Sequence, residues 1–185
     1  MKRCWFDALV IAALLVIAGA LGLGLLRQRD GKLLMAEGIR LEEADDWAQA
    51  LISYRQASVL LPRDPELRVR LGGALAMTGH YSEAMPYLQH PDPRLARELR
   101  AAAWLNLALA HDSLQPGSAA AVEAVEAARE AWPDAPARTY ARGRACLKAG
   151  NTGEARRFLW QAAQLGVPEA EELLRSLEEA GQPAE

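Results

Sequence analysis

Apolar and small residues recur at helical spacing along most of the chain after residue 30. In the stretch 31–64, Ala50, Tyr54, Ala57 and Pro62 follow one another at offsets of 4, 3 and 5. Side chains three or four positions apart share one face of a helix, so this spacing predicts amphipathic helices. Ala, Leu, Glu and Arg dominate the composition and favour helices, and extended alternating runs of β-branched residues are absent. The pattern predicts an all-α fold.

The same pattern returns at a fixed interval. Three pairs of matching residues lie 34 positions apart: Gly38 and Gly72, Trp47 and Tyr81, and Ala50 and Ala84. The interval from Ala84 to Ala121 is 37 residues, and from Ala121 to Ala155 it is again 34. A period of this length is typical of repeated helical hairpins that stack into a solenoid.

The spacing resembles that of the tetratricopeptide repeat (TPR), a pair of antiparallel helices. Glycine, aromatic, small and proline places of that family are occupied in the first repeat by Gly38, Trp47, Ala50, Tyr54, Ala57 and Pro62. The resemblance implies a TPR α-solenoid of about four helix pairs with a C-terminal capping helix. The expected segments are repeats at about 31–64, 65–98, 101–134 and 136–167, a cap at 168–180 and a disordered tail at 181–185.

Local signals predict where several helices begin. Asp64-Pro65 and Asp92-Pro93 are typical helix starts, because Asp caps the first turn and Pro needs no N–H there. Ser118 is expected to cap a later helix. Pro86 falls in a first turn, and that helix should end early, at 90–93.

Residues 8–26 contain no charged or polar side chain, and 19 helical residues span roughly 28 Å, about one hydrocarbon core. We therefore expect residues 1–26 to form a transmembrane signal anchor and residues 27–30 to link it to the repeats. A cleaved signal peptide is the alternative, because Ala18-Gly19-Ala20 has the form of a cleavage site. A buried helix is the third possibility.

The basic residues around that segment leave its orientation open. Two of them, Lys2 and Arg3, precede it and three follow it soon after, namely Arg27, Arg29 and Lys32. The count slightly favours repeats inside the cytoplasm, whereas a short basic N-terminus is typical of anchors that export the following domain. We expect a single-pass protein of the inner membrane with an extracytoplasmic repeat domain.

Composition and motifs argue against several other functions. Lys and Arg total 21 and Asp and Glu total 24, so a mildly acidic chain lacks the basic face that nucleic acid needs. Phosphate-binding glycine loops, GxSxG and HExxH are absent, and the three histidines stand at unrelated spacings. Trp104, Trp132 and Trp160 are interpreted as packing residues. We expect no enzyme activity, metal, cofactor or small-molecule substrate.

The resemblance also implies a binding groove lined by the first helix of each repeat. Carried over to this chain, the groove residues are Met35, Ile39, Arg70, Met77, Asn106, Tyr140, Arg144 and Lys148. Tyr140, Arg144 and Lys148 share one helix face and are the predicted seat of an acidic or C-terminal peptide segment. The alternative is that Arg144 and Lys148 only make the helix soluble. The lysine and arginine places of the carboxylate clamp found in some chaperone-binding members are not matched here.

Two functional hypotheses follow. The first is a membrane-anchored scaffold that binds another protein during assembly of an envelope complex, such as a c-type cytochrome, a periplasmic enzyme, or a secretion or pilus machine. The second is a cytoplasm-facing adaptor that recruits a soluble partner to the membrane. Both follow from the resemblance and the apolar segment, and neither identifies the partner.

Overall fold

A computed structural model describes the backbone of residues 2–180 and the side chains of residues 22–179. This part of the chain contains helices and turns and no strand. The helices are α1 (Lys2–Glu43), α2 (Trp47–Leu60), α3 (Pro65–Met77), α4 (Tyr81–Leu88), α5 (Arg97–Leu114), α6 (Ala119–Ala131), α7 (Ala135–Lys148), α8 (Thr152–Gln164) and α9 (Pro168–Ala180). The predicted all-α fold is confirmed. The predicted tail at 181–185 lies outside the described residues.

The helices form four consecutive hairpins. The end of α1 packs on α2, α3 on α4, α5 on α6 and α7 on α8, and α9 covers α8 at the end of the array. Neighbouring hairpins stack through α2 on α3 and through α3 and α4 on α5. One hydrophobic core runs from the first hairpin to α8, and a smaller one lies between α8 and α9. This arrangement is a TPR-like α-solenoid.

Two glycines let the helices of a hairpin approach closely. A Cβ atom at Gly72 would lie 2.8 Å from the Leu88 side chain, and one at Gly143 would lie 2.9 Å from that of Leu159. Contacts this short would force the neighbouring helix outward, so both sites require a residue without a side chain. Ala155, also predicted at a helix contact, is fully buried.

Caps fix several helix ends, and one predicted start differs. Asp64 accepts hydrogen bonds from the Glu66 and Leu67 amides at 3.0 Å, so α3 starts as predicted. The third hairpin begins at Arg97 instead of Asp92-Pro93. The reason is that Asp92 accepts a hydrogen bond from the Arg94 amide at 2.9 Å, which stabilises a turn in place of a helix.

Helix α1 corrects the prediction for the N-terminal segment. No helix in the described part of the chain combines the length and the apolar character needed to cross a membrane. The predicted single-pass location in the inner membrane is therefore wrong. In the described part of α1, the apolar stretch 22–26 continues directly into charged residues. The side chains of residues 8–21 lie outside the described residues.

The residues expected to link an anchor to the repeats are helical. Helix α1 continues without interruption through residues 27–30. Gly31, interpreted as the end of a link, has a packing role: a Cβ atom there would lie 2.6 Å from the Leu61 side chain. The glycine therefore serves close contact between α1 and the residue after α2, and does not break the helix.

Overpacking the core should reveal the contact at Ala155. We expect Ala155→Leu to lower the free energy of unfolding by about 1–3 kcal/mol, because the added carbon atoms have no space. Chemical denaturation followed by circular dichroism measures the loss. Ala145→Leu is the matched control, because Ala145 is exposed on α7 and the change should stay within about 0.5 kcal/mol. Equal stability of the two variants would contradict the packing of α8.

Candidate protein-binding site

The first and fourth hairpins meet through one arginine. Arg142 of α7 donates a hydrogen bond to the backbone oxygen of Glu42 at 3.0 Å and another to Asp45 Oδ1 at 3.1 Å. Glu42 lies near the end of α1, and Asp45 lies in the turn before α2. Residues about 100 positions apart in the sequence are therefore joined, and the array closes on its inner side.

Aromatic rings support the same contact. The Arg142 guanidinium lies 4.7 Å from the centroid of the Phe158 ring and 5.3 Å from that of Trp47. The two rings lie 6.4 Å apart in a tilted arrangement. A cation over an aromatic face contributes about 0.5–2 kcal/mol, depending on how far water is excluded. The two rings therefore hold the Arg142 guanidinium in place.

Helix α8 crosses the inner face of the second and third hairpins. Arg157 donates a hydrogen bond to the backbone oxygen of Met77, at the end of α3. Gln161 is 3% exposed and donates from Nε2 to Asn106 Oδ1 of α5 at 2.9 Å. These bonds place α8 where a TPR groove would otherwise be open.

What remains of the inner face is a cavity of about 200 Å³ between α5 and the fourth hairpin, named here the inner cavity. Its lining residues are Met77, Glu98, Ala101, Ala102, Leu105, Asn106, Trp132, Arg138, Thr139, Arg142, Phe158 and Gln161. Alanine, leucine, methionine and phenylalanine make one side apolar. Two guanidinium groups and two amide side chains supply polar contacts at fixed places.

Arg138 is the cation of the inner cavity that is open to a partner. Its guanidinium lies 5.3 Å from the centroid of the Trp132 ring. It forms no ion pair with any described residue. Glu98 shares the cavity and is bound to Arg97 at 3.1 Å; a backbone hydrogen bond, then that arginine, and last Arg138 lower the pKa of its carboxyl group. The cavity wall therefore carries the Arg138 cation together with a carboxylate that is already paired with Arg97.

A larger cavity of about 480 Å³ lies between the turns at residues 62–65 and 90–94. Its carboxylates are already engaged: Asp64 caps α3, and Asp92 accepts from the Arg94 amide. Because its polar groups serve the local turns, this cavity offers less to a ligand than the inner cavity does.

The predicted groove residues of the first two hairpins do not form an open surface. Met35 is 4% exposed and belongs to the core, while Ile39 is partly buried against it. Arg70 pairs with Glu42 at 3.1 Å and with Glu66 at 2.9 Å. In this face of the array, the side chains are therefore buried or already paired within the chain.

Two predicted groove residues do line the inner cavity. Met77 contributes to the apolar side, and Asn106 contributes an amide. Both lie on the first helix of their hairpin, α3 for Met77 and α5 for Asn106. The Met77 side chain, however, is only 1% exposed. It therefore lies at the bottom of the cavity and does not project into it.

Tyr140, Arg144 and Lys148 lie on the other side of α7. Arg144 and Lys148 are exposed, and neither forms an ion pair within the described part of the chain. The Arg144 guanidinium lies 5.8 Å from the centroid of the Tyr140 ring. Residues 138 and 142 face the inner cavity, so this predicted seat remains a separate surface and not part of the closed inner face.

The acidic residues before α2 divide into two roles. Asp46 accepts a hydrogen bond from the Gln49 amide at 3.1 Å and caps α2. Glu42 accepts a hydrogen bond from the Tyr54 hydroxyl at 2.6 Å and also pairs with Arg70. Burial and the nearby Glu42 raise the pKa of Tyr54. Both acidic residues therefore stabilise the fold: Asp46 caps α2, and Glu42 binds side chains of α2 and α3.

Several residues of the site were missed in the sequence. Arg138 and Arg142 differ from Arg144 and Lys148 only in the helix face that they occupy, and their spacing gave no reason to prefer them. Trp132 was correctly interpreted as a packing residue, yet it also supports Arg138. Phe158 is a large aromatic residue in the middle of α8, the second helix of the fourth hairpin. Its size is a local signal that the inner face is filled.

The fold defines a class of protein: a TPR-like, all-helical solenoid. No family model matches the chain, and no curated protein sequence matches it. Among solved structures, it is similar to MamA 41-end from Desulfovibrio magneticus RS-1, with 20% identity and a TM-score of 0.49, covering 83% of this chain and 78% of that chain.

A second solved structure, the MamA RS-1 ArsTM double mutant, gives a similar result. Its identity is 21% and its TM-score 0.49, and the match covers 80% of this chain and 78% of that chain. Likeness at this level carries no argument about the site, which is described from the contacts of this chain's own residues.

Removal of the Arg142 side-chain contacts should loosen the closed array. We expect Arg142→Leu to lower the free energy of unfolding by about 1.5–3 kcal/mol, because Asp45 loses a charged hydrogen-bond partner. Denaturation measures the loss, and amide hydrogen exchange should rise in the turn before α2. Arg144→Leu on the same helix is the control, with an expected change of about 0.5 kcal/mol or less. If both variants were equally stable, the contact would not hold the array closed.

Proposed function

We propose that the protein is a non-enzymatic scaffold that binds a partner protein through the inner cavity. The ligand is a segment of the partner that presents an acidic group next to an apolar side chain. The observation that carries this proposal is Arg138, an exposed guanidinium supported by Trp132 at the edge of an apolar cavity and unpaired among the described residues.

The size of the inner cavity favours a side chain over a whole small molecule. Small-molecule sites typically enclose about 300–1,000 Å³, whereas the inner cavity encloses about 200 Å³. That volume suits one anchoring side chain of a peptide. Burial of a Leu, Ile or Val side chain against Leu105 and Phe158 would contribute about 1.5–3 kcal/mol.

The positive charge of α7 favours a partner segment that carries a negative charge. The helix carries four cationic side chains and no acidic one. A guanidinium binds a carboxylate through two parallel hydrogen bonds, which are stronger than hydrogen bonds between neutral groups. Because Trp132 already restrains Arg138, little side-chain freedom is lost when a carboxylate binds.

Asn106 and Gln161 add polar contacts beside the apolar side. Each amide uses one group in their mutual hydrogen bond and keeps further donor or acceptor capacity. An extended peptide offers backbone N–H and C=O groups that match such amides. The inner cavity therefore combines an apolar anchor site, backbone contacts and a cation in one place.

The proposal contains no role at the membrane. The envelope-assembly hypotheses depended on a membrane location that the helices contradict. The partner is therefore described by its chemistry alone, as an acidic and partly apolar segment of a protein.

Peptide display tests the proposal directly. Peptides selected on the full chain should carry an acidic residue adjacent to an apolar one, and Arg138→Glu should weaken their binding at least tenfold. A tenfold loss corresponds to about 1.4 kcal/mol, and a hydrogen bond to a charged group contributes about 1.5–3 kcal/mol. Fluorescence anisotropy of a labelled selected peptide measures the affinity.

Two control variants make the result specific. Arg175→Glu changes the net charge equally at an exposed position of α9 and should bind as the unchanged chain does. The double variant Arg144→Glu, Lys148→Glu tests the face that the sequence predicted. If that double variant loses binding while Arg138→Glu retains it, the peptide occupies the outer side of α7 and the inner cavity is not the site.

A further inference from the structure

Three groups that can bind a metal ion meet where the first and fourth hairpins join. They are Asp45 in the turn before α2, Cys146 on α7 and Glu154 on α8, named here the junction cluster. Their ligand atoms all lie within 4.8 Å of one another. The Cys146 thiol already contacts Asp45 Oδ2 at 3.4 Å. Each group comes from a different element, so the cluster exists only in the folded chain.

The junction cluster contains a polar atom that the described residues leave unpaired. Cys146 is a free thiol with no exposed surface. Beside it, Glu154 Oε2 is buried and has no hydrogen-bond partner. Buried polar atoms normally find partners, so this carboxylate oxygen points to a further ligand.

We propose that Asp45, Cys146 and Glu154 bind a zinc ion that ties the first hairpin to the fourth. A thiolate together with carboxylates suits zinc, whereas calcium and magnesium require oxygen ligands alone. Zinc–sulfur and zinc–oxygen bonds of about 2.3 and 2.1 Å place tetrahedral ligand atoms about 3.5 Å apart. From a separation of at most 4.8 Å, the cluster therefore needs to contract by about 1.3 Å or less.

Arg142 would act on the ligand set from outside. It binds Oδ1 of Asp45, while Oδ2 of the same carboxylate faces the Cys146 sulfur. Such outer contacts orient metal ligands and increase metal affinity. The inference does not depend on the proposed peptide binding, because metal binding is measured on the chain alone.

Metal titration of the purified full chain tests the inference. We expect one zinc ion per chain to remain after dialysis, measured by elemental analysis. Cobalt(II) should give a thiolate-to-cobalt charge-transfer absorption that zinc abolishes. Cys146→Ser should remove this absorption, and Glu154→Gln should weaken zinc binding at least tenfold while circular dichroism shows an unchanged helical fold.

Matched variants identify the ligands. Cys4→Ser removes the other thiol of the chain and should keep the absorption, and Glu178→Gln removes an exposed carboxylate of α9 and should keep the affinity. The inference is overturned if the unchanged chain binds no zinc saturably. It is equally overturned if Cys4→Ser, and not Cys146→Ser, removes the absorption, or if Glu154→Gln binds zinc as tightly as Glu178→Gln.

Discussion

The contact of Arg142 with the turn before α2 decides the shape of this molecule. Repeat arrays usually hold together through neighbouring repeats, so their ends are independent of each other. Here one guanidinium reaches Glu42 and Asp45, 97 to 100 residues away, and is held between two aromatic rings. A long-range contact of this kind couples the first hairpin to the fourth.

Closure changes what the inner face can bind. An open TPR groove would present a long surface to a peptide, but α8 lies across it and forms hydrogen bonds with α3 and α5. The accessible space is reduced to the inner cavity, with Arg138 at its edge. Binding energy must therefore come from one anchoring side chain and a few charged or polar contacts, and less from extended burial.

The charged side chains also divide into those that are paired within the array and those that are open to a ligand. Arg70 lies between Glu42 and Glu66 and is neutralised within the protein, whereas Arg138 stacks on Trp132 without a carboxylate partner among the described residues. Identical side chains on first helices of different hairpins thus have different roles. A paired, partly buried ion stabilises the array, and an exposed unpaired one remains available to a ligand.

The sequence by itself determined the helical hairpins and their local contacts. Gly72 and Gly143 each contact the second helix of their own hairpin. These contacts follow from the sequence because a 34-residue repeat specifies which residues touch within one hairpin. Only the tertiary structure decided that Met35 is buried, that Asp45 meets Arg142, and which face of α7 lies inward. Those facts depend on the curvature of the whole array, which accumulates from small rotations between hairpins and leaves no mark in the spacing of any one repeat.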